Sequence, residues 1–157
     1  MREILFRGKR KEDNQWVYGF YVNCASIYDN PKTDRVAEII DSNADRVFDG
    51  EYSPLDAYPV IPETVGQWTG LVDKNGTKIF EGDIVKSCTE YYSFNDGREC
   101  NVVRWENDSC GFEPFSDSIG NCGHCGAGFP PEYSEVIGNI HDNPELMEEK
   151  ENGTDKF

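Results

Sequence analysis

The chain has 157 residues, 30 of them acidic and 15 basic, so its formal net charge is −15 at pH 7. This charge argues against direct nucleic-acid binding, because affinity for phosphates comes from lysine and arginine displacing counterions. The length suits about one domain, and the 37% hydrophobic content excludes a disordered chain. The sequence has neither a signal-peptide core nor an apolar run of roughly 18 residues, so we expect a cytoplasmic protein that does not contact membranes.

The first 25 residues predict a β-hairpin. Ile4 and Phe6 alternate with more polar neighbours before a turn-forming segment at 12–15. A second alternating run follows the turn and consists of Trp16, Tyr18, Phe20 and Val22. The alternation favours one aromatic face, and we expect that face to lie in the core.

Residues 7–11, R-G-K-R-K, form the one dense basic run of the chain. Because the run leads directly into a turn, its simplest interpretation is a solvated hairpin end. The alternative is a docking site for an acidic partner.

Residues 67–86, Q-W-T-G-L-V-D-K-N-G-T-K-I-F-E-G-D-I-V-K, carry the strongest fold signal. Apolar residues at two-residue spacing are interrupted by Asn75-Gly76 and by Gly82-Asp83, which are typical of tight turns because Asn and Gly tolerate positive φ. We expect three meandering strands here. Further strands are predicted at 36–40, where a helical turn is the alternative, and at 101–105, 110–115 and 136–140.

The last part of the chain changes its pattern. Asn143 before Pro144 predicts an N-cap and a short helix over 144–150, and the highly charged residues 148–157 are typical of a solvated tail. Upstream, Ser53-Pro54 predicts a single capped turn.

Three segments together resemble the YopX family, small proteins of bacteriophages and prophages. They are the opening M-R-E-I-L-F-R, the block T-G-L-V-D-K-N-G-T-K-I-F-E-G-D-I-V and the closing V-I-G-N-I-H-D-N-P-E-L. The resemblance implies a β-rich fold and a mobile-element origin. It implies no reaction, because the family has no established activity or catalytic residues to carry over.

The six cysteines are the place where site chemistry is conceivable: Cys24, Cys88, Cys100, Cys110, Cys122 and Cys125. A closed zinc site needs four ligands, usually from two C-x-x-C pairs, and this chain has only Cys122-Gly123-His124-Cys125. Cys100 and Cys110 lie at unfamiliar spacings from it. We therefore expect free thiols with no metal or cofactor, and a metal-binding or redox module on the Cys122–Cys125 loop is the alternative.

No catalytic residue is assigned from the sequence. Phosphate-binding, zinc-protease, esterase and calcium-loop motifs are absent. A nucleophile pair of Cys125 and His141 lacks an identifiable third group to orient it. We expect a protein that is not an enzyme.

The sequence thus predicts a mainly β fold with two small packed β subdomains, at 1–65 and 66–143. The second is an SH3-like or related barrel, followed by a short helix and acidic tail at 144–157. The expected function is a phage or prophage accessory protein that binds another protein without enzymatic activity. The alternative suggested by the charge is an acidic DNA mimic that inhibits a host nucleic-acid enzyme.

We also expect a homo-oligomer. The strands at 67–72 and 136–140 carry few charges to protect a free edge. Several aromatic residues exceed what a core of this size holds, and surplus aromatics are typical interface anchors. The alternative is that all of them are buried in one core. Those residues are Trp16, Tyr18, Tyr91, Tyr92, Trp105, Phe112 and Phe115.

Overall fold

The computed structural model describes residues 3–25, 35–41, 57–88, 100–115 and 129–148. These ranges contain eleven β-strands and one short helix, so the predicted mainly β fold with a short C-terminal helix is confirmed. The chain divides into two compact units, Met1–Trp68 and Thr69–Phe157. The strands are β1 (Phe6–Lys9), β2 (Trp16–Ala25), β3 (Arg35–Asp41), β4 (Ala57–Pro59), β5 (Gly66–Val72), β6 (Lys78–Phe80), β7 (Asp83–Ser87), β8 (Cys100–Val102), β9 (Arg104–Glu106), β10 (Gly111–Glu113) and β11 (Ser134–Asn139), and the helix is α1 (Glu145–Glu148).

The first unit is an antiparallel sheet in the order β4-β3-β2-β1-β5, the last strand contributing its first residues. The predicted hairpin is present as β1 and β2, which pair from Phe6 opposite Gly19 to Lys9 opposite Trp16. The segment predicted as strand or helical turn is the strand β3, which pairs with seven residues of β2. A 3₁₀ turn at Pro62–Thr64 leads into β5.

This sheet closes on itself through the chain that follows β4. The N–H of Lys11 donates to the carbonyl of Pro59, and the N–H of Ile61 donates to that of Lys9, both at 2.9 Å. Arg10 and Val60 form a bridge between these two bonds. The end of β1 and the end of β4 thus become neighbours, which leaves the sheet with an inner and an outer face.

The inner face is small and tightly filled. Its core consists of Ala37, Ile39 and Val60, with Phe6, Val17, Tyr21 and Val65 packed against it. Gly19 is also buried, and a Cβ added to it would lie 1.8 Å from the carbonyl oxygen of Ile40. No side chain fits at that position, so β2 approaches β3 closely only because residue 19 is glycine.

In the second unit the predicted meander is wrong at its last step. The later part of β5 pairs with β6 as a hairpin, and Gly76 at its turn has φ +81°. After the turn at Gly82, however, β7 does not pair back onto β6 but forms the centre of a second sheet, β11-β7-β8. Buried Asp83 fixes this departure, because its carboxylate accepts the Phe80 N–H at 2.7 Å. The alternation of apolar residues gave no sign that the chain changes sheets.

A second departure concerns the predicted strand at 101–105, which is divided between β8 and β9. Val103 separates them, and its N–H donates to the carbonyl of Asp83 at 2.8 Å. Strand β10 pairs with β9 in a separate two-stranded sheet. The core of this unit lies between these elements and consists of Ile79, Val85, Val103, Phe112 and Phe129.

A carboxylate ties the β5–β6 turn to the outer side of β11. Asp73 is 4% exposed, and one of its oxygens accepts the N–H groups of Asn75 at 2.8 Å and Thr77 at 2.9 Å. Its other oxygen accepts the Val136 N–H at 3.0 Å, and the next N–H, of Lys74, donates to the carbonyl of Ser134 at 3.0 Å. The turn therefore occupies backbone groups of β11 that a neighbouring strand would otherwise use.

The C-terminal prediction needs one correction. Strand β11 has a register shift between Val136 and Gly138, so the two-residue alternation expected over 136–140 does not persist. The side-chain oxygen of Asn143 accepts the Asn139 N–H at 3.4 Å, and this bond folds the loop back before α1 begins.

No helix in the described ranges is long and apolar enough to cross a membrane. The turn predicted at Ser53-Pro54 and the tail lie outside the described residues.

Replacing Gly19 with Ala should cost at least about 3 kcal/mol of unfolding free energy, because the Cβ collides with backbone rather than with a movable side chain. Gly76→Asn is the matched control, since nothing lies within 4 Å of its added Cβ and Asn tolerates positive φ. Urea unfolding followed by circular dichroism measures both. Equal midpoints for the two variants would contradict the close approach of β2 and β3.

Asp73→Asn should destabilise the protein by roughly 1–3 kcal/mol at pH 7, because the amide cannot accept all three backbone N–H groups. Burial alone would raise the pKa of Asp73, but the N–H groups of Val136, Thr77 and Asn75 outweigh it and hold the pKa below 3.8. The charged carboxylate thus contributes stability that is fully present well above the usual aspartate pKa and is lost progressively as the pH falls through the folded-state pKa.

The measurement is the urea midpoint between about pH 7 and pH 2.5. Asp73→Asn should reduce the fall of the urea midpoint at acidic pH, whereas the exposed control Asp108→Asn should leave that fall unchanged. If the midpoint fell equally in the wild type and in Asp73→Asn, the carboxylate would not have this role.

Candidate functional site: the outer face of the first unit

Closure of the first sheet separates the residues of β2 into an inner and an outer set. Tyr21 lies opposite Ile39 on the inner face, so the residues on either side of it point outward. The paired residues Lys9 and Arg7 on β1 and Glu38 and Ile40 on β3 share that side. We call the set the outer aromatic face: Arg7, Lys9, Trp16, Tyr18, Phe20, Val22, Glu38 and Ile40.

The prediction that the aromatic row of β2 lies in the core is wrong, although Phe6, part of the same predicted face, does pack against the core. Tyr18 is 42% exposed and Phe20 is 51% exposed, whereas Val17 and Tyr21 pack against the buried core. The stretch from residue 16 to 22, W-V-Y-G-F-Y-V, is apolar on both sides, so periodicity could not tell which side is buried. The narrow interior decides the question, because a Cβ added to Gly8 on the inner face of β1 would lie 3.1 Å from the Ile39 side chain and 3.2 Å from that of Val60.

The related alternative, that all the surplus aromatic residues share one core, is also wrong. Trp105 is 46% exposed and lies edge-on to buried Phe112, with ring centroids 5.2 Å apart. Tyr91 and Tyr92 lie outside the described residues.

One end of the outer aromatic face is basic. The guanidinium carbon of Arg7 lies 4.7 Å from the centre of the Trp16 ring, and the ammonium of Lys9 lies 5.4 Å from it. Arg7 is only 7% exposed, so a cation–π contact takes the place of part of its hydration. These two contacts hold the Trp16 ring in a fixed orientation at this end of the row.

The hairpin end beyond it is a separate feature. Arg10 pairs with Asp13 and lies over the ring of Tyr58, 5.2 Å from its centre. Lys11 and Glu12 are exposed in the turn and border a shallow cavity of about 270 Å³ with Tyr58. The basic run is therefore not uniformly solvated, since Arg7, Lys9 and Arg10 each contact an aromatic ring.

The opposite end of the outer aromatic face is acidic. Glu38 on β3 lies opposite Val22, six residues along β2 from Trp16. The Glu38 side chain is half-buried, as is that of neighbouring Ile40. The face thus runs from two cations, through the exposed rings of Tyr18 and Phe20, to a carboxylate.

Among the cysteine and histidine residues singled out in the sequence, Cys24 lies on β2, opposite Val36 of β3. Cys122, His124 and Cys125 are outside the described residues. Cys125 is also the partner of His141 in the hypothetical nucleophile pair. The backbone N–H of His141 donates to the side-chain oxygen of Asn139 at 3.0 Å. Cys88, Cys100 and Cys110 are free thiols. Over the described ranges, no three His, Cys, Asp or Glu side chains lie close enough to hold a metal ion.

One exposed polar cluster is present in the second unit. The ammonium of Lys74 lies 2.7 Å from Glu135, and the Cys88 thiol lies 3.9 Å from the same carboxylate. The hydrogen bond between Lys74 and Glu135 raises the pKa of Lys74 and lowers the pKa of Glu135. Both side chains are more than one-third exposed, so this cluster fastens the Asp73 turn to β11 and has no enclosed space for a substrate.

The single exchanges Tyr18→Ser and Phe20→Ser should each lower the unfolding free energy by no more than about 1 kcal/mol, the scale of strand propensity and cross-strand contacts, because neither ring is in the core. Ile39→Ala, at a fully buried position of the neighbouring strand, should cost about 2–5 kcal/mol. Urea unfolding of the three variants is the measurement. A loss of several kcal/mol for Phe20→Ser would restore the core assignment.

Comparison with known proteins agrees with this architecture. The crystal structure of protein EF1440 from Enterococcus faecalis is similar, with a TM-score of 0.50 and 21% sequence identity over 94% of this chain and 99% of that one, which shows the fold alone. No curated protein matches the chain. The sequence model of a family described as "YopX protein" matches residues 5–148, nearly the whole chain. This match confirms the resemblance seen in the sequence, and the chain belongs to the YopX family.

Proposed function

We propose that this protein is a non-enzymatic accessory protein of a phage or prophage, and that it binds another protein chain through its outer aromatic face. The observation that carries the proposal is the pair of exposed rings, Tyr18 and Phe20, beside the Arg7–Trp16 stack. Aromatic residues and arginine are enriched where protein interfaces bind most strongly. A rigid sheet also presents them with little loss of conformational entropy on binding.

The strand edges named in the sequence offer less to a partner than this face does. Strand β5 bonds to β1 through Gly66 and Gln67 and to β6 further along. Strand β11 is the edge of its sheet, but Asp73 and Lys74 already occupy backbone groups on its outer side. Addition of a partner strand at either place would have to displace existing hydrogen bonds.

The DNA-mimic alternative requires free carboxylates in regular rows. Several carboxylates in the described ranges are instead bonded within the chain: Asp13 to Arg10, Asp73 to three backbone N–H groups and Glu135 to Lys74. An ordinary acidic surface suits these observations better, and it serves solubility.

A double variant, Tyr18→Ser with Phe20→Ser, should lose the proteins that co-purify with a tagged wild-type chain from induced cells of a prophage-bearing host. An untagged copy of the chain is expressed beside the tagged one, so that self-association is scored as well. Val72→Ser is the matched control, because Val72 is 44% exposed and lies in the second unit. The same bound proteins in all three samples would refute the assignment of the face.

A further inference from the structure

We propose that the occupant of the outer aromatic face is the same face of a second copy of this chain, in a dimer with two-fold symmetry. The basic end of each copy, at Lys9, then meets the acidic end of the other, at Glu38. This inference rests on the proposed function and adds to it the identity and the orientation of the partner.

The order of charge along β2 carries the argument. Lys9 lies opposite Trp16, and Glu38 lies opposite Val22, so the two charges are separated by six residues of β2, roughly 20 Å at about 3.3 Å per residue. Because Lys9 is on β1 and Glu38 is on β3, the axis that exchanges these two ends lies between the two faces, crosses the middle of β2 and is perpendicular to the line from Lys9 to Glu38. It places the lysine of each copy over the carboxylate of its mate, which is the self-complementarity that an isologous interface requires.

The middle of the face suits the position of the axis. Tyr18 and Phe20 flank it on either side of buried Gly19, so their rings would meet the same rings of the second copy. Aromatic pairs of this kind add about 0.5–1.5 kcal/mol beyond the area that they bury. The two charged pairs lie at the rim, where they set orientation more than affinity.

Other partners match only one end of the face. An acidic peptide or a single-stranded nucleic acid would suit Lys9 but would meet the carboxylate of Glu38 at the other end. A basic partner would suit Glu38 but would meet Lys9 and Arg7. A second copy satisfies both ends at once.

The expected affinity follows from the size of the face. Three strands about 4.8 Å apart and roughly 20 Å long form a footprint well below the usual value of about 800 Å² per partner. The dimer should therefore be weak, and it should populate over roughly micromolar to sub-millimolar concentrations.

Sedimentation velocity of the full chain over that range, at about 150 mM salt, tests the proposal. The wild type should approach twice the 17.8 kDa monomer mass, and Phe20→Ser should remain a monomer. Lys9→Glu and Glu38→Lys should each weaken the dimer about tenfold or more, and the double exchange should restore it to within about threefold of the wild type.

The single exchanges also separate a specific contact from general repulsion. Lys9→Glu makes the net charge more negative and Glu38→Lys makes it less negative, so general repulsion would weaken the first dimer and strengthen the second. Lys11→Glu has the same change of charge as Lys9→Glu but lies in the hairpin turn, outside the face, and should leave the dimer unchanged. Circular dichroism of each variant shows that it is folded.

Three results would overturn the inference. A wild-type monomer at every concentration removes the second copy as the partner and leaves the proposed function to the co-purification experiment. Dimers that Phe20→Ser does not affect place the self-interface elsewhere and refute the inference, and the proposed function is again decided by the co-purification experiment. If Phe20→Ser abolishes the dimer but the double exchange of Lys9 and Glu38 does not restore it, the outer aromatic face is still the interface, and the reversed orientation is refuted.

Discussion

The backbone hydrogen bonds that join the end of β1 to the chain after β4 determine what the first unit presents to its surroundings. By closing the sheet, they give it a narrow interior, in which a Cβ on Gly8 would press against the side chains of Ile39 and Val60. Closure also removes two strand edges that would otherwise be available for pairing. The large rings of Tyr18 and Phe20 are then left outside, and a surface that resembles a core in composition becomes exposed.

In the second unit a side chain has the role that a neighbouring strand has elsewhere. The carboxylate of Asp73 accepts N–H groups from its own turn and one from β11, so a single buried charge fixes a hairpin and covers part of a sheet edge. Its burial is tolerated because three donors solvate it, which is the usual condition for a charged group in an interior. The two units thus limit strand pairing by different means, one by closure and the other by a carboxylate.

The sequence was sufficient for the local elements and insufficient for their partners. The hairpin of β1 and β2, the turn at Asn75-Gly76 and strand β3 follow from alternation and turn chemistry, which are local properties. The departure of β7 into another sheet depends on Asp83 and Val103, which are twenty residues apart. Which side of β2 is buried depends on closure at residues 9–11 and 59–61, and the apolar residues on both sides conceal it. The sequence therefore revealed the aromatic row of the candidate site but predicted that row to be buried, whereas its rings are exposed.

Net charge is a poor guide to the partner of such a protein, because recognition depends on the charges that a contact buries. The value of −15 describes the whole surface, and at physiological salt charges more than about 8 Å away are largely screened. Within the outer aromatic face the charges are instead ordered, with Arg7 and Lys9 at one end and Glu38 at the other. The surrounding acidic surface opposes close approach of any second acidic molecule, so an interface here must offset that repulsion with local contacts. The charge order along β2 is the feature that would allow it to do so with a copy of itself.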